Sequence, residues 1–330
     1  MKRIVLNLST LLFGTVIFAW VNVAEAQQAG KVYRIGHLTS HSRSDVVPTH
    51  QALYKSLREL GYIDGKNIII ETRYTEGKRG RYPDLVAELI RLKVDVIVSG
   101  SPRALRLAKK ATSTIPIVMA WSSDDPVTMG LVSSLARPGG NITGMTSFHA
   151  DLNGKRLELI KETVPQISRV AVMYTPGGSA PQQLKEVQVA ARALNIQIQP
   201  VKVQRPADFD NAFSEVTKGQ AKFLFIIRTS FMRRYASRIN SFAERSQLPT
   251  MWNARLYVAR GGLMSYGADP VATYQRAATF IDKILKGRKP ADLPIERPTK
   301  FEFSVNLKTA KKIGLTIPPS LLYRADKVFK

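Results

Sequence analysis

The hydrophobic positions of this chain alternate between short, nearly continuous runs and longer runs with helical spacing. "VYRIGHL" (32–38) is followed by "PTHQALYKSLRELGY", with helical spacing and a stop at Gly61, then by "NIIIETRY", "YPDLVAELIRL", "VDVIVS", "SPRALRLAKKA", "IPIVMAW" and "DPVTMGLVSSLA". In "YPDLVAELIRL", Leu85, Val86, Leu89 and Ile90 fall on one helical face, and Pro83 suits a first turn. The strand-like runs are short, β-branched and nearly continuously hydrophobic, as befits a parallel sheet covered on both faces. After "NITGMTSF" (141–148) the alternation restarts with "RVAVMYTP", "SAPQQLKEVQVAARALN", "IQIQPVKV", "ADFDNAFSEVTKG" and "AKFLFIIRTS", a long helical stretch to Gln247, and "LPTMWNA". Leu184, Val187, Ala191 and Leu194 mark one face of the first helix of this half.

The two halves correspond about one half-chain apart: Ile35 with Val172, Val98 with Ile227, and "IPIVMAW" with "LPTMWN". The predicted fold class is therefore α/β, with two similar open parallel-sheet lobes. Beyond them, "RGGLMSYG" reads as a strand, "DPVATYQRAATFIDKILKG" as a helix, "RKPADLPIERP" as a connection and "TKFEFSVNL" as a strand. If these elements cross back, a multi-strand hinge near 142–148, 253–264 and 299–305 joins the lobes. The expected division is 27–145 plus about 267–298 for lobe one, and 146–262 plus about 299–330 for lobe two with the hinge strands.

Residues 1–26 have a different character. Lys2 and Arg3 precede the apolar "LLFGTVIFAWVNVA", and Ala24-Glu25-Ala26 ends the segment. This is the pattern of a signal peptide cleaved after Ala26, and the apolar core falls short of the ~20 residues of a comfortable membrane span. The expected location is the periplasm. The chain has 330 residues and no cysteine, which excludes disulfides, thiolate metal sites and a lipid-modified thiol. Its formal net charge is +24, but the basic residues are scattered, as in "KETVPQISR" and "KGRKPADLP", without an arginine-rich arm or a zinc-finger spacing. No nucleic-acid partner is expected, and the chain is read as a monomer with a small-molecule partner.

In an open parallel sheet, ligands gather at the carboxyl ends of the strands, where loops and unpaired amides converge. In lobe one those ends carry Ser40 and His41, then Ser99, Gly100 and Ser101, then Trp121 and Ser122; in lobe two they carry Tyr174, then Arg228 and Thr229, then Trp252 and Asn253. Facing each other across a hinge, these residues would enclose one cleft. Indoles, hydroxyls and a guanidinium suit a small organic molecule with a planar or apolar body and an acidic group. Each has an alternative role: the serines as helix caps, the indoles as seals of lobe edges, Arg228 in an ion pair within its lobe, and His41 in a solvated loop. Asp125 is expected to cap the helix after it, and Tyr266 either lines the cleft or packs under the hinge.

The segments 95–144 and 261–326, from "DVIVSGSPRA" to "NITG" and from "GGLMSYGADP" to "LLYRAD", resemble the ABC-transporter substrate-binding proteins of the tryptophan/tyrosine-binding type. The resemblance implies a periplasmic binding protein type I fold, a clamshell that closes on a solute and a partner permease in the inner membrane. It places ligand contacts at Ser40, Ser99 to Ser101, Trp121, Ser122, Tyr174, Arg228 and Trp252. A ligand sensor feeding a receptor is an alternative with the same closure. A cleft enzyme, such as a racemase or hydrolase, finds little support: the chain lacks G-x-S-x-G, H-E-x-x-H and GxxxxGK[ST], and holds four histidines in all. Neither a cofactor nor a metal is expected. A repressor on the same fold would need a helix-turn-helix where the leader stands.

Overall fold

The computed structural model describes residues 31–330 except 46, 123 and 148–150; the leader expected over 1–26 lies outside the described residues. A five-stranded parallel sheet has the order β2-β1-β3-β4-β5, with β1 Tyr33–Thr39, β2 Ile68–Tyr74, β3 Val96–Ser99, β4 Ile117–Met119 and β5 Ile142–Gly144. A seven-stranded sheet has the order β12-β11-β10-β9-β8-β6-β7. Its strands are β6 Arg169–Tyr174, β7 Gln197–Lys202, β8 Leu224–Ile226, β9 Thr250–Trp252, β10 Met264–Ala268, β11 Phe301–Asn306 and β12 Lys327–Phe329. Within it, β10 and β11 pair antiparallel and the other pairings are parallel.

Period-two alternation distributes each strand between two cores. In the first sheet, Ile35, Val96, Val98 and Val118 meet the helices Pro48–Glu59 and Pro270–Leu285, while Leu38, Ile97, Ile117 and Met119 meet Tyr82–Arg91 and Pro102–Ala111. In the second, Val170, Val172, Phe223, Phe225 and Met251 face the helices Asp151–Thr163 and Ala180–Ala193; Ala171, Met173, Leu224, Ile226 and Trp252 face Phe209–Lys218 and Ala236–Arg245. Burial on both faces is why these strands carry no polar alternation.

The chain passes between the sheets between β5 and Asp151, again at 268–270 and again at 297–300. The middle passage lies later than the expected 253–264, because "RGGLMSYG" stays paired in the second sheet, with Met264 opposite both Met251 and Val305. Helix Pro270–Leu285 then returns to the first lobe's core, started by Asp269, whose side chain accepts from the Val271 amide at 2.8 Å. Two of the passages are tied together by backbone bonds: Glu296 N donates to Gly144 O and Thr146 N to Glu296 O, each at 2.9 Å.

Three expectations need correction. The segment after Asp125 forms turns rather than a helix; Gly130 sits there at φ +66°, and the Asp125 carboxylate accepts from the Val127 amide at 3.0 Å and the Thr128 hydroxyl at 2.8 Å. The helical stretch to Gln247 is two helices, Ser230–Arg234 and Ala236–Arg245, which meet at Tyr235. The repeat register also shifts by two. The bonds Asp95 N to Arg34 O and Lys222 N to Arg169 O hold the same place in each lobe, so Ile35 matches Val170 and Val98 matches Phe225. The pairing of "IPIVMAW" with "LPTMWN" keeps its register: Ile97 N donates to Pro116 O and Leu224 N to Pro249 O, which matches Met119 with Trp252.

Candidate functional site

The carboxyl ends of the two sheets face each other, and the lobes touch there. Asp124, in the loop after β4, accepts a hydrogen bond from the Ser179 hydroxyl at 2.8 Å, and Ser179 is the residue before helix Ala180–Ala193. Across the gap, burial and then the Arg233 charge of lobe two lower the His41 pKa in lobe one. Replacing Asp124 with alanine removes the direct bond between lobes. We expect a shift of about 1 kcal/mol toward the open form, seen as a larger scattering radius without solute and about a fivefold weaker solute affinity.

Several of the expected residues form the frame of this site rather than its lining. Ser99 is buried and its hydroxyl donates to Leu38 O at 2.6 Å; Ser101 caps helix Pro102–Ala111 by accepting from the Ala104 amide at 3.4 Å. Ser122 has no exposure, and its hydroxyl donates to Asp124 O at 2.9 Å, which shapes the loop that reaches Ser179. Thr229 caps helix Ser230–Arg234 through the Met232 amide at 3.1 Å, and its hydroxyl donates to that of Thr175 at 3.3 Å. Gly100 is needed for a close approach: a Cβ there would lie 2.1 Å from the Tyr274 hydroxyl.

Trp252 does not reach the cleft. It is fully buried, stacks on Tyr257 with centroids 4.5 Å apart, and its Nε1 donates to Asn240 Oδ1 at 2.9 Å. The reason is its register: as the counterpart of Met119 it ends a strand, whereas Trp121 lies two residues beyond one. Trp121 is half-buried and packs beside Gly100 on the first lobe's core. Ser40, Tyr174 and Asn253 are partly exposed at their strand ends; Ser40 O accepts from the Gly77 amide at 3.2 Å. Tyr174 packs against the second lobe's core, as does Tyr266, whose carbonyl accepts from Arg156 Nε at 2.7 Å.

Arg228 follows β8 directly, half-buried, and its Nε donates to the Tyr257 hydroxyl at 3.2 Å. Arg233 lies on the next helix, Ser230–Arg234. Burial and then the Arg228 charge lower the Arg233 pKa, partly offset by Tyr257 and Tyr82. His41 pairs with Asp45 at 3.5 Å, but burial and the nearby Arg233 charge lower its pKa. Behind it lies a line of rings: His41 and His50 are 5.3 Å apart and His50 and His37 are 4.5 Å apart, edge to face. Burial and the neighbouring His41 bring the His50 pKa to about 4. His37 has no exposure, and burial holds its pKa well below the usual value; its Nδ1 shares a hydrogen bond with the Tyr54 hydroxyl at 2.6 Å.

Sequence reasoning missed Arg233, His50, Tyr82 and Tyr274. Tyr82 and His50 open helices whose starts were visible, and nothing local marks the direction they face. Tyr274 comes from a segment that follows lobe two in sequence and packs in lobe one. Among the described residues, no three His, Asp or Glu side chains gather into a metal site. Beside β2 a cavity of about 390 Å³ is lined by Arg43, Arg73, Glu76 and Glu88, among others, but Arg73 is already ion-paired with Glu88 at 2.9 Å.

Two facing α/β lobes joined by several strands define a solute-binding clamshell of the periplasmic binding protein type I class. The family model of ABC transporter substrate binding proteins matches residues 38–329, and the chain belongs to that family. It is 25% identical over 282 residues to a tyrosine-binding protein of Clostridioides difficile (strain R20291), covering 85% of this chain and 80% of that one. Among solved structures, a conserved domain protein of Vibrio cholerae has a TM-score of 0.81 at 25% identity, covering 90% of this chain and 100% of that one. The ABC domain from Streptococcus pneumonia in complex with L-Trp has a TM-score of 0.82 at 24% identity, covering 91% and 100%.

Proposed function

We propose that this protein is an exported, monomeric solute receptor that closes its two lobes on a small organic molecule, such as an amino acid or an aromatic or acidic compound, and delivers it to an ABC permease in the inner membrane. The observation that carries this reading is the Asp124–Ser179 bond between the facing strand ends of the two lobes, with Arg228 at the end of β8 in the same gap. Tyrosine and L-Trp binding by relatives supports a guest of this size. The leader, with cleavage after Ala26, is the proposed export signal. The moving bodies are lobe one, which includes helix Pro270–Leu285, and lobe two.

The contacts with the guest drive closure with no covalent bond made or broken, because a guest held by both lobes favours the closed form by its differential affinity. No enzymatic role and no nucleic-acid partner are assigned. Around the guest, Arg228 is the principal polar contact, with Ser40, His41, Gly100, Trp121 and Thr229 near the rim. A thermal-shift screen of amino acids and aromatic acids identifies the solute class, since a ligand at 100 times its Kd adds about 2.7 kcal/mol. With that solute, Arg228→Ala should weaken binding by about 1.5–3 kcal/mol in calorimetry, the worth of a charge-assisted hydrogen bond. Unchanged affinity would remove Arg228 from the site.

A further inference from the structure

We propose that the hinge end of the cleft is an anion site built on Arg156, which takes a carboxylate or another small oxyanion. The inference rests on the cleft-binding reading for access from solution, and it adds a subsite separate from Arg228. Arg156 lies in helix Asp151–Thr163, just after the first passage between the lobes, and is 8% exposed. Its guanidinium reaches the carboxyl end of β10, where Nε donates to Tyr266 O at 2.7 Å; Nη1 donates to Asn153 Oδ1, also at 2.7 Å. Both acceptors are neutral. Burial lowers its pKa only to about 10, so the group keeps its charge at neutral pH. A charge taken out of water is costly unless an opposite charge meets it.

Among the described residues no carboxylate bonds to this guanidinium. Glu186 is linked to it only through Asn153, whose Nδ2 donates to Glu186 Oε2 at 3.2 Å. Glu302, opposite Gly267 in the β10–β11 ladder, is paired with Arg255 at 3.5 Å and accepts from the Ser304 hydroxyl at 2.7 Å. Asp269 caps its helix. The remaining nitrogen, Nη2, has no acceptor among the described residues. It lies 3.6 Å from the point where a Cβ on Gly267 would stand, and the Asn253 carbonyl oxygen lies 2.0 Å from the same point. Asn253 directly follows β9, and its side-chain Oδ1 is enclosed without a hydrogen-bond partner. The joint carboxyl ends of β9 and β10 therefore hold a buried cation with a spare N–H and only an uncharged oxygen near it. An oxyanion at Nη2 supplies the missing charge through a charge-assisted hydrogen bond.

The test is thermal melting of the purified protein in sodium acetate, with sodium chloride holding the ionic strength constant. Acetate should raise the melting temperature of the wild type along a saturating curve. Asn253→Asp places a carboxylate beside Arg156 without a change of size. Free of acetate, that variant should melt about 2 °C above the wild type, and it should lose the response to acetate. Arg156→Gln should lose the response as well. A response to acetate that persists in Asn253→Asp, no saturable response in the wild type, or a lower melting temperature of Asn253→Asp overturns the site, and each leaves the cleft reading to stand or fall on the solute screen. Calorimetry with a solute from that screen then tells which anion uses the site. An affinity at least tenfold weaker in Asn253→Asp assigns it to the guest's own carboxylate; an unchanged affinity assigns it to a free anion bound beside the guest.

Discussion

Trp252→Ala is expected to lower stability by about 3–5 kcal/mol, the usual cost of deleting a large buried aromatic. The indole is wholly enclosed, stacks on Tyr257 and donates to Asn240 Oδ1 at 2.9 Å, so its removal leaves both a cavity and an unpaired buried amide oxygen. Asn240 also donates to the carbonyls of Tyr257 and Arg260, and the loss would therefore spread to the Arg255–Ala259 helix. Trp121→Ala, at a half-buried position, should cost clearly less. Urea unfolding of the two variants compares them; similar midpoints would place the two indoles in equivalent surroundings and contradict the register described above.

Acid should destabilise the protein well before its carboxylates titrate. An imidazole in the unfolded chain takes up a proton near pH 6.5, whereas folded His50 does so only at about 4. Between these values the unfolded state binds the extra proton, so stability is full above pH 6.5, falls as the pH is lowered, and loses no more from this group below about 4. His50 alone contributes about 3 kcal/mol to that loss. Buried His37 shifts in the same direction and deepens it. The depressed carboxyl of Glu296, held by Arg276, acts in a lower range, below the usual carboxylate value. Urea midpoints at pH 7, 5.5 and 4.5 measure the slope, and a His50→Gln variant should flatten it. An unchanged slope in that variant would remove His50 as its source.

Much of the architecture was legible because double-sided burial leaves a strong mark: Val96, Ile97 and Val98 are apolar although they face different cores. The strand ends could be located for the same reason, since the apolar runs stop there. Which side chain at an end turns toward the gap was not legible. Trp121 and Trp252 follow similar runs, yet a two-residue displacement between the repeats puts one beyond its strand and the other inside a core. Arg233 looks like any basic residue on a helix; its charge on His41 of the other lobe comes from tertiary placement alone. Tyr274 reaches Gly100 from far along the chain, a contact that tertiary packing alone creates.

The backbone bonds from Glu296 N to Gly144 O and from Thr146 N to Glu296 O have a mechanical consequence. Because two of the connecting segments are laced side by side, they cannot slide along one another without breaking that lacing. Sideways shear and free tumbling of the lobes are thereby resisted, and what stays soft is a swing about the laced ribbon, the single degree of freedom that opens and shuts a jaw.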